Sequence, residues 1–114
     1  MYDFGSIVLA RFPFTDLSGT KVRPALVVSR DNARRPDIVV AFITSNLQFI
    51  GAPDAMAISP SAENGLKTQS VVRFDKIATL ENRIIVGKLG DVGATFLATA
   101  SNVFFGVFGF VKPE

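Results

Sequence analysis

The sequence predicts a mainly β fold of the α+β class: a compact, strongly bent antiparallel sheet or small barrel with one C-terminal helix packed on it. Three observations predict it. Short apolar, β-branched runs recur between Gly- and Pro-bearing turns. A single long segment near the C-terminus carries apolar residues at helical spacing. Internal repeats, low-complexity tracts and linker-like stretches are absent, so residues 1–114 are expected to form one domain.

The elements follow in order. Gly5 leads into a strand over Ser6–Phe12. Residues 13–22 (PFTDLSGTKV) are rich in turn formers and read as a loop that ends before Arg23-Pro24. Residues 25–29 form a short apolar strand, and residues 31–36 a charged turn. Residues 37–43 (DIVVAFI) make the next strand, bounded by Thr44-Ser45-Asn46. A loop over residues 46–53 precedes a short strand over Ala55–Ile58. Residues 60–65 suit one helical turn closed by Gly65, and residues 68–79 a longer strand bent around Asp75. Residues 84–89 form the last strand, and Asp91 is expected to cap a helix that ends near Gly109.

Residues 92–111 lack charge, and about 20 apolar residues can span a bilayer. On a helical wheel, however, Thr95, Thr99, Asn102 and Gly106 share one narrow arc opposite Val92, Phe96, Leu97, Ala100, Val103, Phe104, Val107 and Phe108. A polar stripe beside a broad apolar face predicts a packed helix that doubles as an oligomer surface, with no membrane partner. No secretory signal is visible, so a cytoplasmic location is expected.

Composition removes several chemistries. The chain has no Cys and no His, which excludes thiolate nucleophiles, thiolate and imidazole metal ligands, and the commonest general base. Acidic residues are scattered; the closest pairs, Asp31 with Asp37 and Asp75 with Glu81, are six positions apart, so no metal and no other cofactor is expected. There is no P-loop, no dinucleotide fingerprint and no nucleophile elbow. The net charge of +2 is small, but Arg11, Lys21, Arg23, Arg30, Arg34 and Arg35 cluster against only Asp16 and Asp31. Such a local excess suits a phosphate-bearing partner or an ordinary solvated face.

Polar groups stand at the ends of apolar runs in three places, where sites are commonly built. In Lys21-Val22-Arg23-Pro24, a guanidinium held beside a proline can fork onto a phosphate, or pair with a carboxylate. In Ile43-Thr44-Ser45, adjacent hydroxyls can bind a phosphate or a base edge, or satisfy their own turn. In the segment from Gly65 through Lys67, Thr68, Arg73 and Asp75, the last two share a strand face. There the Arg keeps the Asp ionised and ready to accept a proton, or the two form a plain ion pair.

Taken together, these segments resemble the MazF/PemK family of growth-inhibiting toxins from type II toxin–antitoxin pairs. The resemblance runs through Gly5-Ser6-Ile7-Val8, Arg23-Pro24-Ala25-Leu26-Val27-Val28-Ser29 and Ile43-Thr44-Ser45. It continues through Ser70 to Leu80 (SVVRFDKIATL) and Val86-Gly87-Lys88-Leu89-Gly90.

The resemblance implies a homodimeric SH3-like barrel of the MazF/PemK/CcdB type. Such a protein is a sequence-specific, metal-independent endoribonuclease that cleaves single-stranded RNA through a 2′,3′-cyclic phosphate, inhibiting translation and growth. It is held in check by an acidic, partly disordered antitoxin. By position, Arg23 and Thr44 match residues associated with catalysis, and Arg73 and Asp75 match a proposed acid and base. Asp75 is expected to accept the 2′-proton, Arg23 to bind the non-bridging oxygens and Thr44 to hold the phosphate. Arg73 is expected to stabilise charge, because a guanidinium with a pKa above about 12 is a poor proton donor. Lys21, Ser45, Lys67 and Thr68 are expected to bind RNA, and Phe14, Phe49 and Phe74 to stack on bases.

Two features depart from the family pattern. Ser6 stands where an acidic residue is common, and a first-loop His is missing, with Asp16, Leu17 and Ser18 in its place. They favour one rival, a catalytically degenerate barrel that binds RNA or peptide; the shared fold supplies a second, a DNA-gyrase poison.

Overall fold

The computed structural model describes residues 2–12, 21–30 and 34–109. Six strands form one sheet: β1 (Ser6–Phe12), β2 (Lys21–Val27), β3 (Asp37–Thr44), β4 (Ala55–Ile58), β5 (Ser70–Glu81) and β6 (Ile85–Asp91), followed by the helix α1 (Ala94–Phe108). The spatial order is β4-β5-β3-β2-β1-β6, and every neighbouring pair is antiparallel. This is the mainly β architecture with one C-terminal helix that the sequence predicts, and β1 and β4 have the predicted boundaries.

Alternation along the strands gives the sheet two buried faces. Ile7, Leu26, Ala41, Ile43, Val72 and Phe74 pack with Ala100, Phe96, Val103 and Phe104 of α1. Val8, Ala10, Ala25, Val27, Ile38, Val40 and Leu80 form a second cluster on the other face, joined by Phe42 and Ile85. The strands therefore read as nearly continuous apolar runs, because both sides are covered.

The sheet bends where β5 carries extra residues. Its register against β3 jumps from Ala41↔Ile77 to Phe42↔Arg73, which leaves Phe74, Asp75 and Lys76 in a bulge. The Phe74 N–H instead donates to the Asp54 carbonyl at 2.9 Å. Phe74 is thereby turned into the core, edge-on to Phe104 with ring centroids 6.5 Å apart, while Asp75 is left exposed. The bend predicted around Asp75 is this bulge.

Between β4 and β6 the curved sheet is closed by a turn. Gly65 N–H donates to the Ser61 carbonyl at 3.1 Å, and Asp91 N–H to the Glu63 carbonyl at 2.8 Å. The approach needs glycine on both sides. A Cβ on Gly65 would collide with the Leu89 carbonyl oxygen, and one on Gly90 with the Glu63 carbonyl oxygen. Gly65 also has φ +70°, a left-handed conformation that favours glycine.

Several boundaries differ from expectation. β2 begins at Lys21, so Arg23 and Pro24 lie within a strand and not at the end of a loop. The ladder to β3 covers only Ala25 to Val27, and a strand tolerates a proline where one of its ladders has lapsed. β5 begins and ends two residues later than expected, and β6 begins one residue later and ends at Asp91, two residues later. Asp91 does not cap α1; Gly93 is the N-cap, with no side-chain cap bond. The bonds from Asp91 N–H to Glu63 and from Val92 N–H to the Gly5 carbonyl (2.9 Å) hold this stretch extended. The Asp91 carboxylate instead accepts a bond from Ser6 Oγ at 3.4 Å and pairs with Lys88 Nζ at 3.1 Å.

The helix ends at Gly109, as expected, with φ +70°. Thr95, Thr99, Asn102 and Gly106 are exposed along its polar stripe, and Ala100 is its buried residue. Among the described residues no helix is long and apolar enough to cross a membrane.

Candidate active site

Residues drawn from five strands and the segments beside them meet in one pocket. An open pocket of about 350 Å³ is lined by Arg23 and Pro24 of β2, Ile43 and Ser45 at the end of β3, Leu66, Lys67 and Thr68, and Leu9 and Leu89. Arg23, Ser45, Lys67 and Thr68 were singled out separately in the sequence, and the fold brings them together. All four are exposed, and the rest of the lining is largely apolar. The lining residues Leu66 and Leu89 were not named as site residues, because each reads in sequence as ordinary core.

Lys67 and Thr68 reach the pocket through a built loop. Asn64 is 5% exposed, and its Oδ1 accepts the N–H groups of Ser61 (3.0 Å) and Leu66 (2.9 Å). Its Nδ2 donates to the Ser59 carbonyl at 2.8 Å, and its N–H donates to Ser61 Oγ at 3.1 Å. Buried amides that satisfy this many partners hold a loop in one shape. The Asn64-Gly65 dipeptide is the sequence signal for this support, read there only as the close of a turn.

Thr44 is half-buried at the end of β3 and does not line the pocket. Its Oγ1 accepts the Asn46 N–H at 3.1 Å, which leaves its own O–H to donate elsewhere. Arg73 and Asp75 form a second cluster. Arg73 Nε donates to Asp75 Oδ1 at 3.2 Å and Nη2 to Oδ2 at 2.7 Å, a two-pronged ion pair. The Arg73 hydrogen bond, with its charge and that of Lys76, holds the Asp75 carboxyl below its ordinary range against a modest burial penalty. The Arg73 guanidinium also lies over the Phe49 ring, with Cζ 4.0 Å from the centroid.

Sheet register relates the two clusters. Ala25 opposes Phe42, and Phe42 opposes Arg73, so the three form one rung across β2, β3 and β5. Directly opposed residues share a face, and alternation then places Arg23 and Thr44 on the same face as Arg73. The expected catalytic residues thus occupy one face in two groups.

The remaining expectations divide. Lys21 is exposed at the start of β2, on the Arg23 side by alternation. Phe14 lies outside the described residues, as do Asp16, Leu17 and Ser18. Phe74 is 1% exposed and is a core residue, not a stacking platform. Ser6 is buried opposite Asp91, away from the pocket lining. Among the described residues no three acidic side chains gather in a way that could hold a metal ion.

A family model of PemK-like, MazF-like toxins of type II toxin–antitoxin systems matches residues 3–104. The chain belongs to this family. Solved structures place it among MazF-type folds. A mycobacterial endoribonuclease in complex with its cognate antitoxin is 25% identical, with a TM-score of 0.75 over 99% of this chain and 100% of that one. The MazE–MazF assembly of Deinococcus radiodurans contains a match at 25% identity and a TM-score of 0.74, over 96% and 98%. Mycobacterium tuberculosis toxin MazF-mt6, at 24% identity and a TM-score of 0.75 over 94% and 99%, shares the fold. Comparison with curated proteins gave no match. For this MazF-like toxin, the pocket and the Arg73–Asp75 pair are therefore set on a toxin scaffold from end to end.

Proposed function

We propose that this MazF/PemK-family chain is a metal-independent endoribonuclease that cuts single-stranded RNA, acting as a single-domain homodimer in the cytoplasm and neutralised by an acidic antitoxin. The observation that carries the reading is the Arg73–Asp75 ion pair on the sheet face shared by Arg23 and Thr44, in a chain without His. Two structural relatives, an endoribonuclease bound to its antitoxin and a MazE–MazF complex, support it.

The reaction is attack by a ribose 2′-oxygen on the adjacent phosphorus, in line with the departing 5′-oxygen. It leaves a 2′,3′-cyclic phosphate and a free 5′-hydroxyl. Asp75 takes the 2′-proton. Its lowered pKa makes it a weaker base but keeps it ionised in essentially every molecule at neutral pH. Arg23 forks onto the non-bridging oxygens as negative charge grows there. The free O–H of Thr44 donates to the same phosphate. Arg73 stabilises charge and holds Asp75, and water protonates the leaving oxygen. The apolar lining of the pocket accommodates a ribose or base, while Arg23, Lys67 and Lys21 hold neighbouring phosphates.

Incubating the purified chain with a long RNA in EDTA tests the reading. Discrete cuts bearing cyclic phosphates, lost in Arg23→Ala, are expected. Growth arrest or gyrase inhibition without RNA cleavage would contradict it.

A further inference from the structure

The loop after β3 has one inward-facing apolar residue, and that residue meets a cation. Leu47 and Ile50 are 49% and 47% exposed, whereas Phe49 between them is half-buried, with its ring against the Arg73 guanidinium. The loop that carries it is ordered by its own bonds. Thr44 Oγ1 accepts the Asn46 N–H, Asn46 Oδ1 accepts the Gln48 N–H at 3.2 Å, and the Ile50 and Ala52 N–H groups donate to Leu47 (3.1 Å) and Phe49 (3.2 Å) carbonyls. A polar loop with two exposed apolar tips gains little burial from this arrangement; its specific product is the placement of one ring.

Arg73 is thereby fixed from two directions. Phe49 covers one face of the guanidinium, and Asp75 takes the edge carrying Nε and Nη2. A planar cation over an aromatic face is attracted by the ring quadrupole, and the attraction strengthens as water is excluded. The Arg73 side chain is only 18% exposed. One guanidinium nitrogen, Nη1, is left without a bond to Asp75, and it is the group that can turn to a phosphate.

We infer that Phe49 is a positioning residue: its ring holds the Arg73 guanidinium on Asp75 and aims the remaining N–H edge at the substrate, linking the Thr44 end of the site to the Arg73–Asp75 end. The inference rests on the RNA-cleaving reading above. It also reassigns Phe49 from a platform for bases to a support for Arg73.

Three variants and two readouts test it. Phe49→Leu keeps apolar volume but removes the ring face, Phe49→Tyr keeps the face, and Phe49→Ala removes both. The expected result is a fall in kcat of about ten-fold for Phe49→Leu and Phe49→Ala with KM nearly unchanged, and near-normal kcat for Phe49→Tyr. The second readout is NMR of the Arg73 Nε–H, which needs no activity. Faster hydrogen exchange and loss of the ring-current shift are expected in Phe49→Leu, with both restored in Phe49→Tyr. A rise in KM alone would make Phe49 a base platform and overturn the inference, as would an unchanged Arg73 signal in Phe49→Leu. If the wild-type chain cuts no RNA, the RNA reading falls, and the Arg73 signal still decides whether Phe49 holds the guanidinium.

Discussion

Arg73 holds both carboxylate oxygens of Asp75 at the point where β5 bulges away from β3. A regular strand would also place positions 73 and 75 on one face; the bulge adds the turn that exposes Asp75 while burying Phe74.

This pair sets a pH dependence. The Asp75 pKa is lowered in the folded chain, first by the Arg73 hydrogen bond. Its contribution to stability is therefore present above the unfolded carboxylate value of about 3.9 and is lost as pH falls through the folded value. Activity should follow, with the acid limb of kcat/KM below about pH 3.9 and displaced upward in Arg73→Gln. Asp75→Asn should lower kcat by roughly 10²- to 10⁴-fold. A pH–rate series on the three proteins checks all three expectations.

Arg23 should act through its fork and not only its charge. Arg23→Ala is expected to lower kcat by about 10²- to 10³-fold, the range for losing a donor that meets developing charge. Arg23→Lys should recover little of it, because an ammonium cannot reproduce two parallel donors. Single-turnover cleavage of a defined oligonucleotide measures both.

Lys67 should contribute binding without chemistry. Phosphate contacts release counterions, so Lys67→Ala should reduce the slope of log affinity against log salt by about 0.7 for a single strand. Titration of an uncleavable RNA between low and moderate salt, with kcat measured alongside, separates the two effects.

The loop carrying Lys67 depends on Asn64 and Gly65. Asn64→Ala would leave the Ser61 and Leu66 N–H groups without their acceptor, which should destabilise the fold by about 2–4 kcal/mol. Gly65→Ala would combine a left-handed backbone with a collision against the Leu89 carbonyl, at a cost of at least about 1–3 kcal/mol. Urea unfolding of both variants gives the values.

Much of this architecture is legible in the chain. The β-branched runs, the break at Asp75 and the end of α1 at Gly109 all follow from local chemistry, and Arg23, Ser45, Lys67 and Thr68 could be named as polar groups beside apolar strands. What escaped was decided by partners distant in sequence. Asp91 has the composition of a helix cap, but Glu63 and Gly5 hold it and Val92 extended. Arg23 and Pro24 read as the junction of a loop and a strand until β1 supplies their ladder, with Ala10 and Leu9 opposite them. Phe49 and Phe74 look alike in sequence, yet the bulge sends one into the core while the other meets Arg73. The pocket lining required several segments to converge on Arg23.

The most direct test uses a synthetic RNA carrying a single 2′-deoxy substitution at a mapped cut site, assayed in EDTA. If the 2′-oxygen is the nucleophile and Asp75 takes its proton, cleavage at that position disappears while other sites are cut normally. Cleavage that persists at the deoxy position, or that appears only when magnesium is added, would contradict the account.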